Sequence, residues 1–229
     1  MRPISDRLSP TIRNLVIVLA VLFGLYVMAG PLRGPMSAHL ALGPLVAAGE
    51  LWQPASALFV HLDLLSFVFD LIGLWFVGAT IEHSLGRKRF LLIFFGAGLG
   101  ANVAIAALLV ALHWPGIYAG CGDAVLALFV ALGVIFGRTE IRVFGRLVLQ
   151  ARILTLVLVG MSVLSALMQL AWPSLAGTMV ATALGYLFAG GKLGPIIALL
   201  PRRQRRARGF EVLEGGRGRS GRSGKKYVN

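Results

Sequence analysis

The chain has one cysteine, Cys121, in 229 residues, which excludes an internal disulfide and any metal site built on several cysteines. Acid is scarce as well: 9 Asp and Glu stand against 22 Lys and Arg, and charged residues of both signs make up only 14% of the chain. With 57% hydrophobic residues and a mean hydropathy of +0.82, this is not the composition of an ordinary soluble domain. No stretch is left over for a separate soluble catalytic domain.

What is present is a series of long apolar runs, several close to the ~20 residues that a helix needs to cross a bilayer. Spans are predicted near 14–30, 62–81, 90–112, 117–136, 153–171 and 175–191. The expected fold class is therefore an all-α polytopic membrane protein, a bundle of six transmembrane helices. A cytoplasmic segment, 1–13, precedes a membrane domain, 14–200, and a basic tail, 201–229, follows it.

The net charge of +13 raises the question of nucleic acid, but its placement answers otherwise. Arg2, Arg7 and Arg13 precede the first span; Arg87, Lys88 and Arg89 lie between the second and third; Arg138, Arg142, Arg146 and Arg152 lie between the fourth and fifth; Lys192 and the basic residues of the tail after Pro201 follow the sixth. Between the other spans only Arg33 is basic. Alternate loops are basic, the positive-inside pattern of a multi-pass protein with both termini cytoplasmic, expected in a plasma or inner membrane. A signal peptide would also begin basic and then turn apolar, but its removal would leave five spans, so the first helix is read as retained.

Residues 31–61 are moderately apolar, broken by Pro31, Pro35, Pro44 and Pro54, and too interrupted to span. They read as an outer interfacial segment, with Trp52 suited to the headgroup region. The fourth predicted helix carries Ala119, Asp123, Ala127 and Ala131, and the sixth Gly177, Ala181, Gly185 and Ala189, both at four-residue spacing. Small-residue stripes let membrane helices approach closely; generic packing and a mutual contact of these two helices both fit. Gly96, Gly98 and Gly100 follow no predicted strand and form no nucleotide loop. The Gly-rich tail is expected to be disordered. Its RRQRRAR run either fixes topology or meets anionic lipid, at roughly 1 kcal/mol per basic residue near the surface, and it offers no specific nucleic-acid site.

The stretch from Trp52 to Asn102 resembles the second and third helices of the rhomboid intramembrane serine proteases. The likeness rests on Trp52, Phe59 and His61 leading into the second helix, and on Gly78-x-x-x-Glu82-x-x-x-Gly86-Arg87 followed by Phe90. Gln53 stands where the family often has Arg. Glu82, beside Arg87, Lys88 and Arg89, is expected to form a structural ion pair. The resemblance, covering roughly residues 50–190, implies a six-helix core and a large membrane-embedded loop at 31–61. It also implies that the fourth and sixth helices bring a nucleophilic serine and a histidine together.

The positions that would carry that chemistry differ. Matching Gly120-Cys121-Gly122-Asp123-Ala124 to the family's Gly-x-Ser-Gly-Ala places Gly122 at the nucleophile, and glycine has no side chain with which to attack. Anchoring on Gly185-Tyr186-Leu187 places Thr178 at the general base, which threonine cannot supply near neutral pH. The family's His-x4-His-x3-Asn begins at His61 but continues with Ser66 and Asp70, and an ionised Asp70 would repel an oxyanion where the family supplies a donor.

Two alternatives remain for an enzyme. Cys121 could act as a thiolate, yet one step along a helix turns a side chain by about 100°, and the nearest histidine in sequence, His113, has no expected contact with it. Gly120-Cys121-Gly122-Asp123 also spells the Gly-x-Gly-Asp of intramembrane aspartyl proteases, with Phe69-Asp70 resembling the partner motif, so that Asp70 and Asp123 could share a proton and activate water. A transporter using buried acids lacks visible inverted repeats. The reading is a rhomboid-like pseudoprotease whose partners are the bilayer and the membrane segments of client proteins. The alternative is an active protease, aspartyl-type or divergent serine-type. No cofactor or metal is expected. In accessibility labelling of intact cells, a cysteine introduced into the tail is expected to react only after permeabilisation; reaction from outside would reverse the topology.

Overall fold

The structure, a computed structural model, describes residues 9–143 and 147–190. The N-terminal eight residues, Arg146, the last ten positions of the expected membrane domain and the basic tail lie outside the described residues.

The first helix, α1, runs Pro10–Met28 and so begins four residues earlier than expected. Ser9 caps it, its hydroxyl accepting from the Ile12 N–H at 3.3 Å, and Pro10 occupies the first turn, where a missing N–H costs nothing. Short elements follow: 3₁₀ turns at Gly30–Leu32 and Pro44–Ala48, α2 at Arg33–Leu40 and α3 at Gln53–Ser56. This is the interrupted 31–61 segment, and none of its helices exceeds 8 residues.

The second long helix, α4, spans Leu64–Leu85. Gly86, at φ 83°, turns the chain into α5 (Arg87–Leu91), a backbone conformation that favours glycine. The third long helix runs without a break from Arg87 to Leu112: α5, a π-helical stretch at Leu92–Ala97 and α6 (Gly98–Leu112). Helix α7 is Gly122–Ile135. An antiparallel pair, β1 (Glu140–Val143) and β2 (Leu147–Gln150), with Glu140 opposite Gln150, leads into α8 (Ala151–Met168) and α9 (Trp172–Phe188).

Four of these helices are long and apolar enough to cross a membrane: Pro10–Met28, Leu64–Leu85, Arg87–Leu112 and Ala151–Met168. Those near 117–136 and 175–191 are shorter. In place of the expected twenty residues α7 has 14, a rise of about 21 Å against a hydrocarbon core of ~30 Å. Its start is delayed because Tyr118 is bridged to Leu42 by two backbone hydrogen bonds of 2.8 Å, and Gly120 turns at φ 108°.

The short helix sits at the centre, packed against α4, the π stretch, α6, α8 and α9. Every residue from Ala124 to Leu128 is buried, and a helix apolar all round is a buried one. Its neighbours come close through small residues. A Cβ on Gly185 of α9 would lie 2.8 Å from the Ala127 carbonyl oxygen, and one on Gly98 would lie 2.8 Å from the Ala124 Cβ. The two stripes therefore do meet, Gly177, Ala181 and Gly185 all being buried, although Ala119 precedes α7 and takes no part in the helical stripe.

At the opposite end of α4, Glu82 differs from expectation. Its carboxylate accepts hydrogen bonds from the hydroxyls of Ser9 and of Thr11, the latter at 2.8 Å. Among the described residues it makes no ion pair with Arg87, Lys88 or Arg89. Glu82 thus fastens the start of α1 to the end of α4, where Ile12 packs against Gly78 and a Cβ on Gly78 would lie 3.2 Å from the Ile12 side chain.

Gly185→Ala should destabilise the protein by about 1–3 kcal/mol, the usual cost of overpacking, measured as a lowered unfolding midpoint in detergent. Gly160→Ala in α8, with nothing within 4 Å of its added Cβ, should be neutral or gain up to ~1 kcal/mol from helix propensity. Equal effects at the two sites would contradict the close α7–α9 contact.

Candidate functional site

The loop before α4 is built on a buried amide. Gln53 is fully buried: its Oε1 accepts from the Gly43 N–H at 2.8 Å, and its Nε2 donates to the Ala38 carbonyl at 3.0 Å and to Glu50 at 2.8 Å. Glu50 also meets His39 at 2.6 Å, the Ser56 hydroxyl donates to the Leu40 carbonyl at 2.7 Å, and Asn102 of α6 donates to the Pro54 carbonyl at 2.8 Å. These polar groups hold an irregular backbone against the helices. Only the Trp–Arg likeness, with glutamine in place of arginine, drew attention to position 53; nothing in the pattern marked Glu50 or Asn102.

The chain then passes His61 and enters α4 through Asp63, which accepts the Ser66 N–H at 2.8 Å and the Ser66 hydroxyl at 2.7 Å. Those two bonds hold the exposed Asp63 carboxyl below its ordinary range. Ser66, expected from the resemblance to stand at the family's second histidine, is engaged with the helix cap. Among the described residues its hydrogen bonds go to Asp63 and not to Asp70 or Asp123.

One turn further, Asp70 joins three segments. Its Oδ2 lies 3.1 Å from His61 Nε2 and accepts the Cys121 N–H at 3.1 Å. The Cys121 Sγ lies 3.8 Å from the same His61 nitrogen. Cys121 thus has a histidine neighbour after all, His61, which is distant in sequence and is brought close because Gly120 donates its N–H to the Ala57 carbonyl at 2.9 Å and so holds the turn against the loop. Both Cys121 and His61 are buried. His61 Nδ1 is buried with no partner among the described residues.

Glycines flank the cluster. A Cβ on Gly120 would lie 3.4 Å from Asp70 Oδ2 and 3.7 Å from His61 Nε2; one on Gly122 would lie 3.4 Å from Asp70 Oδ1. Gly122 is exposed, so the carboxylate is reached from outside across a residue with no side chain. The next residue, Asp123, faces α9: its Oδ1 accepts from the Thr178 hydroxyl at 3.4 Å, and a Cβ on Gly177 would lie 2.9 Å from its Oδ2. The positions singled out in sequence, Gly122, Thr178, Asp70 and Asp123, therefore gather round the first turn of α7. The two acids there have separate partners, His61 and the Cys121 N–H for one and Thr178 for the other.

What this arrangement can do is limited by its atoms. Position 122 offers no nucleophile. Thr178 spends its hydroxyl on a carboxylate. The Cys121 sulfur has no exposed surface through which a substrate carbonyl could reach it. The donor set His61, Asp70 and Cys121 has one ligand atom from each residue, all within 4.8 Å of one another; a single cysteine excludes only a site built on several, and no metal was expected from the sequence.

Comparison with known proteins agrees with the architecture. Residues 48–191, more than half of the chain, match the Rhomboid domain family. Over 60 residues the chain is 35% identical to the rhomboid protease GluP of Bacillus subtilis (strain 168), a stretch covering 26% of this chain and 12% of that protein. Over 84 residues it is 36% identical to the rhomboid-like protease 2 of Toxoplasma gondii, covering 37% of this chain and 29% of the relative. The chain spans less than a third of the length of either. The matched region runs from the Gln53 loop through the whole of α9, and the chain is an integral, multi-pass membrane protein of the rhomboid family.

Proposed function

We propose that this rhomboid-family membrane protein is a pseudoprotease, without serine-protease turnover, that acts by holding the membrane-spanning segments of other proteins. The observation that carries the reading is the environment of Gly122. At the position matching the family's nucleophile there is no side chain, and the nearest group facing that position is the Asp70 carboxylate, 3.4 Å from where a Cβ would be.

Acyl transfer develops negative charge on the substrate oxygen and depends on donors aimed at it. Here the Cys121 N–H is occupied by Asp70 Oδ2, so a donor that an oxyanion would need is already taken by a carboxyl oxygen. An ionised carboxylate ~4 Å from an oxyanion would repel it by about 4 kcal/mol at an effective dielectric of ~20, a factor of roughly 10³ in rate. Restoring the serine alone leaves that penalty in place.

Support for client binding comes from α4. Leu65, Phe69, Ile72 and Phe76 are exposed and recur at i, i+4, i+7 and i+11, forming one apolar face along the helix that also carries Asp70. Lipid covers such a face in an empty bilayer. A client helix lying on it would pass beside the opening at Gly122.

The purified protein should show no covalent labelling by fluorophosphonates and no cleavage of rhomboid substrates. Gly122→Ser with Thr178→His should remain inactive until Asp70→Asn is added. Labelling of a serine near the start of α7, abolished by its change to Ala, would refute the pseudoprotease reading. Fluorophosphonate-resistant cleavage lost in both Asp70→Asn and Asp123→Asn would establish the aspartyl alternative instead. For the client reading, a photocrosslinker at Phe69 should trap discrete membrane proteins in native membranes, whereas one at Val103, exposed on α6, should not. Identical patterns at both positions would leave only lipid contact.

A further inference from the structure

We propose that His61, Asp70 and Cys121 form a binding site for a divalent cation of zinc's class, with its fourth position open toward Gly122. The proposal concerns metal binding and stands independently of whether the protein holds clients.

The geometry is near that of a closed coordination shell. Zinc bonds of ~2.3 Å to sulfur and ~2.0–2.2 Å to nitrogen and oxygen place tetrahedral ligands roughly 3.4 Å apart for an N–O edge and 3.6 Å for an N–S edge. The corresponding separations are 3.1 Å from His61 Nε2 to Asp70 Oδ2 and 3.8 Å from His61 Nε2 to Cys121 Sγ. The third edge, from the Asp70 carboxyl oxygen to Cys121 Sγ, is within 4.8 Å against roughly 3.6 Å in a tetrahedral set, so the sulfur and carboxyl would draw together on binding. The donors come from three places, the loop before α4, α4 itself and the turn before α7, and their backbones are held by the Gly120 N–H to Ala57 bond at 2.9 Å and the Cys121 N–H to Asp70 bond at 3.1 Å.

Burial argues in the same direction. His61 is 1% exposed and Cys121 is fully buried, so the imidazole and sulfur are already out of water before any ion arrives. With its proton on Nδ1, which is buried without a partner among the described residues, His61 presents the Nε2 lone pair to Asp70 and Cys121. A neutral imidazole, a carboxylate and a thiolate suit zinc and its neighbours, whereas magnesium and calcium take oxygen donors. On binding, the thiol proton passes to water and the sulfur lone pair to the metal, with no change in oxidation state.

Glycine on both sides of the cysteine makes room. A Cβ at 120 would sit in contact with Asp70 and the His61 ring on a backbone whose φ of 108° favours glycine, and a side chain at 122 would stand in the approach to Asp70 Oδ1. Three protein ligands with a fourth position left open is the arrangement of zinc sites that keep a water.

The test uses the full chain, reduced, in detergent or nanodiscs, stripped with chelator and titrated with Co²⁺ and with Zn²⁺ alone. Because Cys121 is the one cysteine of the chain, a thiolate-to-cobalt charge-transfer band can arise only from it, and the unmutated protein answers the question even if variants fail to fold. The expected result is that band, reaching saturation at one cobalt per chain and displaced by Zn²⁺. One zinc should be retained after desalting, and retention should fall at least tenfold in Cys121→Ser and His61→Gln but not in His39→Ala. Absence of the band at saturating Co²⁺, or equal zinc retention in wild type and Cys121→Ser, would overturn the proposal.

Discussion

The close approach of α7 to its neighbours is the constraint on which the rest of the structure depends. In lipid, apolar side chains gain nothing by leaving one greasy surface for another, so helices associate through packing at short range and through polar contacts. Here the short range is set by glycine: Gly185 against the Ala127 backbone, Gly98 against Ala124, and Gly177 against Asp123. With α7 enclosed on all sides, the chain can carry a helix only 14 residues long at its centre, and irregular backbone can stand at the helix start because protein, not lipid, surrounds it.

That irregular backbone creates the site. A full-length helix would bury the amide of residue 121 in its own ladder. Beginning at Gly122 leaves the Cys121 N–H free to be taken by Asp70. The same turn brings the Cys121 sulfur to His61, and the Gln53 network holds the approach to it on the other side. The polar centre is therefore a by-product of where a packed helix starts, maintained by groups that are far apart in sequence.

A fixed carboxylate at such a centre changes what the rhomboid architecture can do. An active site for acyl transfer keeps donors vacant for an anion that exists only fleetingly. Here the Asp70 carboxyl already takes a backbone N–H and lies beside His61, and the proposed reading follows from that: a centre suited to holding positive or hydrogen-bonding groups. The far end of α4, where Glu82 is tied to Ser9 and Thr11, is in contrast a mechanical joint whose chemistry is fully satisfied.

The sequence by itself determined the membrane class, the rhomboid likeness and the helix positions to within a few residues, because hydropathy and small-residue spacing are local, periodic quantities that survive without coordinates. The rhomboid likeness also led to the proposal that Gly122 and Thr178 stand where the family has a hydroxyl and an imidazole, a matching made one residue at a time. Tertiary structure alone decided the partners. That Glu82 bonds to hydroxyls of α1 and not to the neighbouring arginines, that Ser66 caps a helix, and that Cys121 meets His61 across 60 positions are all matters of which way a side chain points. A helical rotation of about 100° per residue predicted that Cys121 would turn away from the site. It lies instead in the turn before the helix, where Gly120 at φ 108° sets its direction, and helical periodicity does not apply to a residue outside the helix.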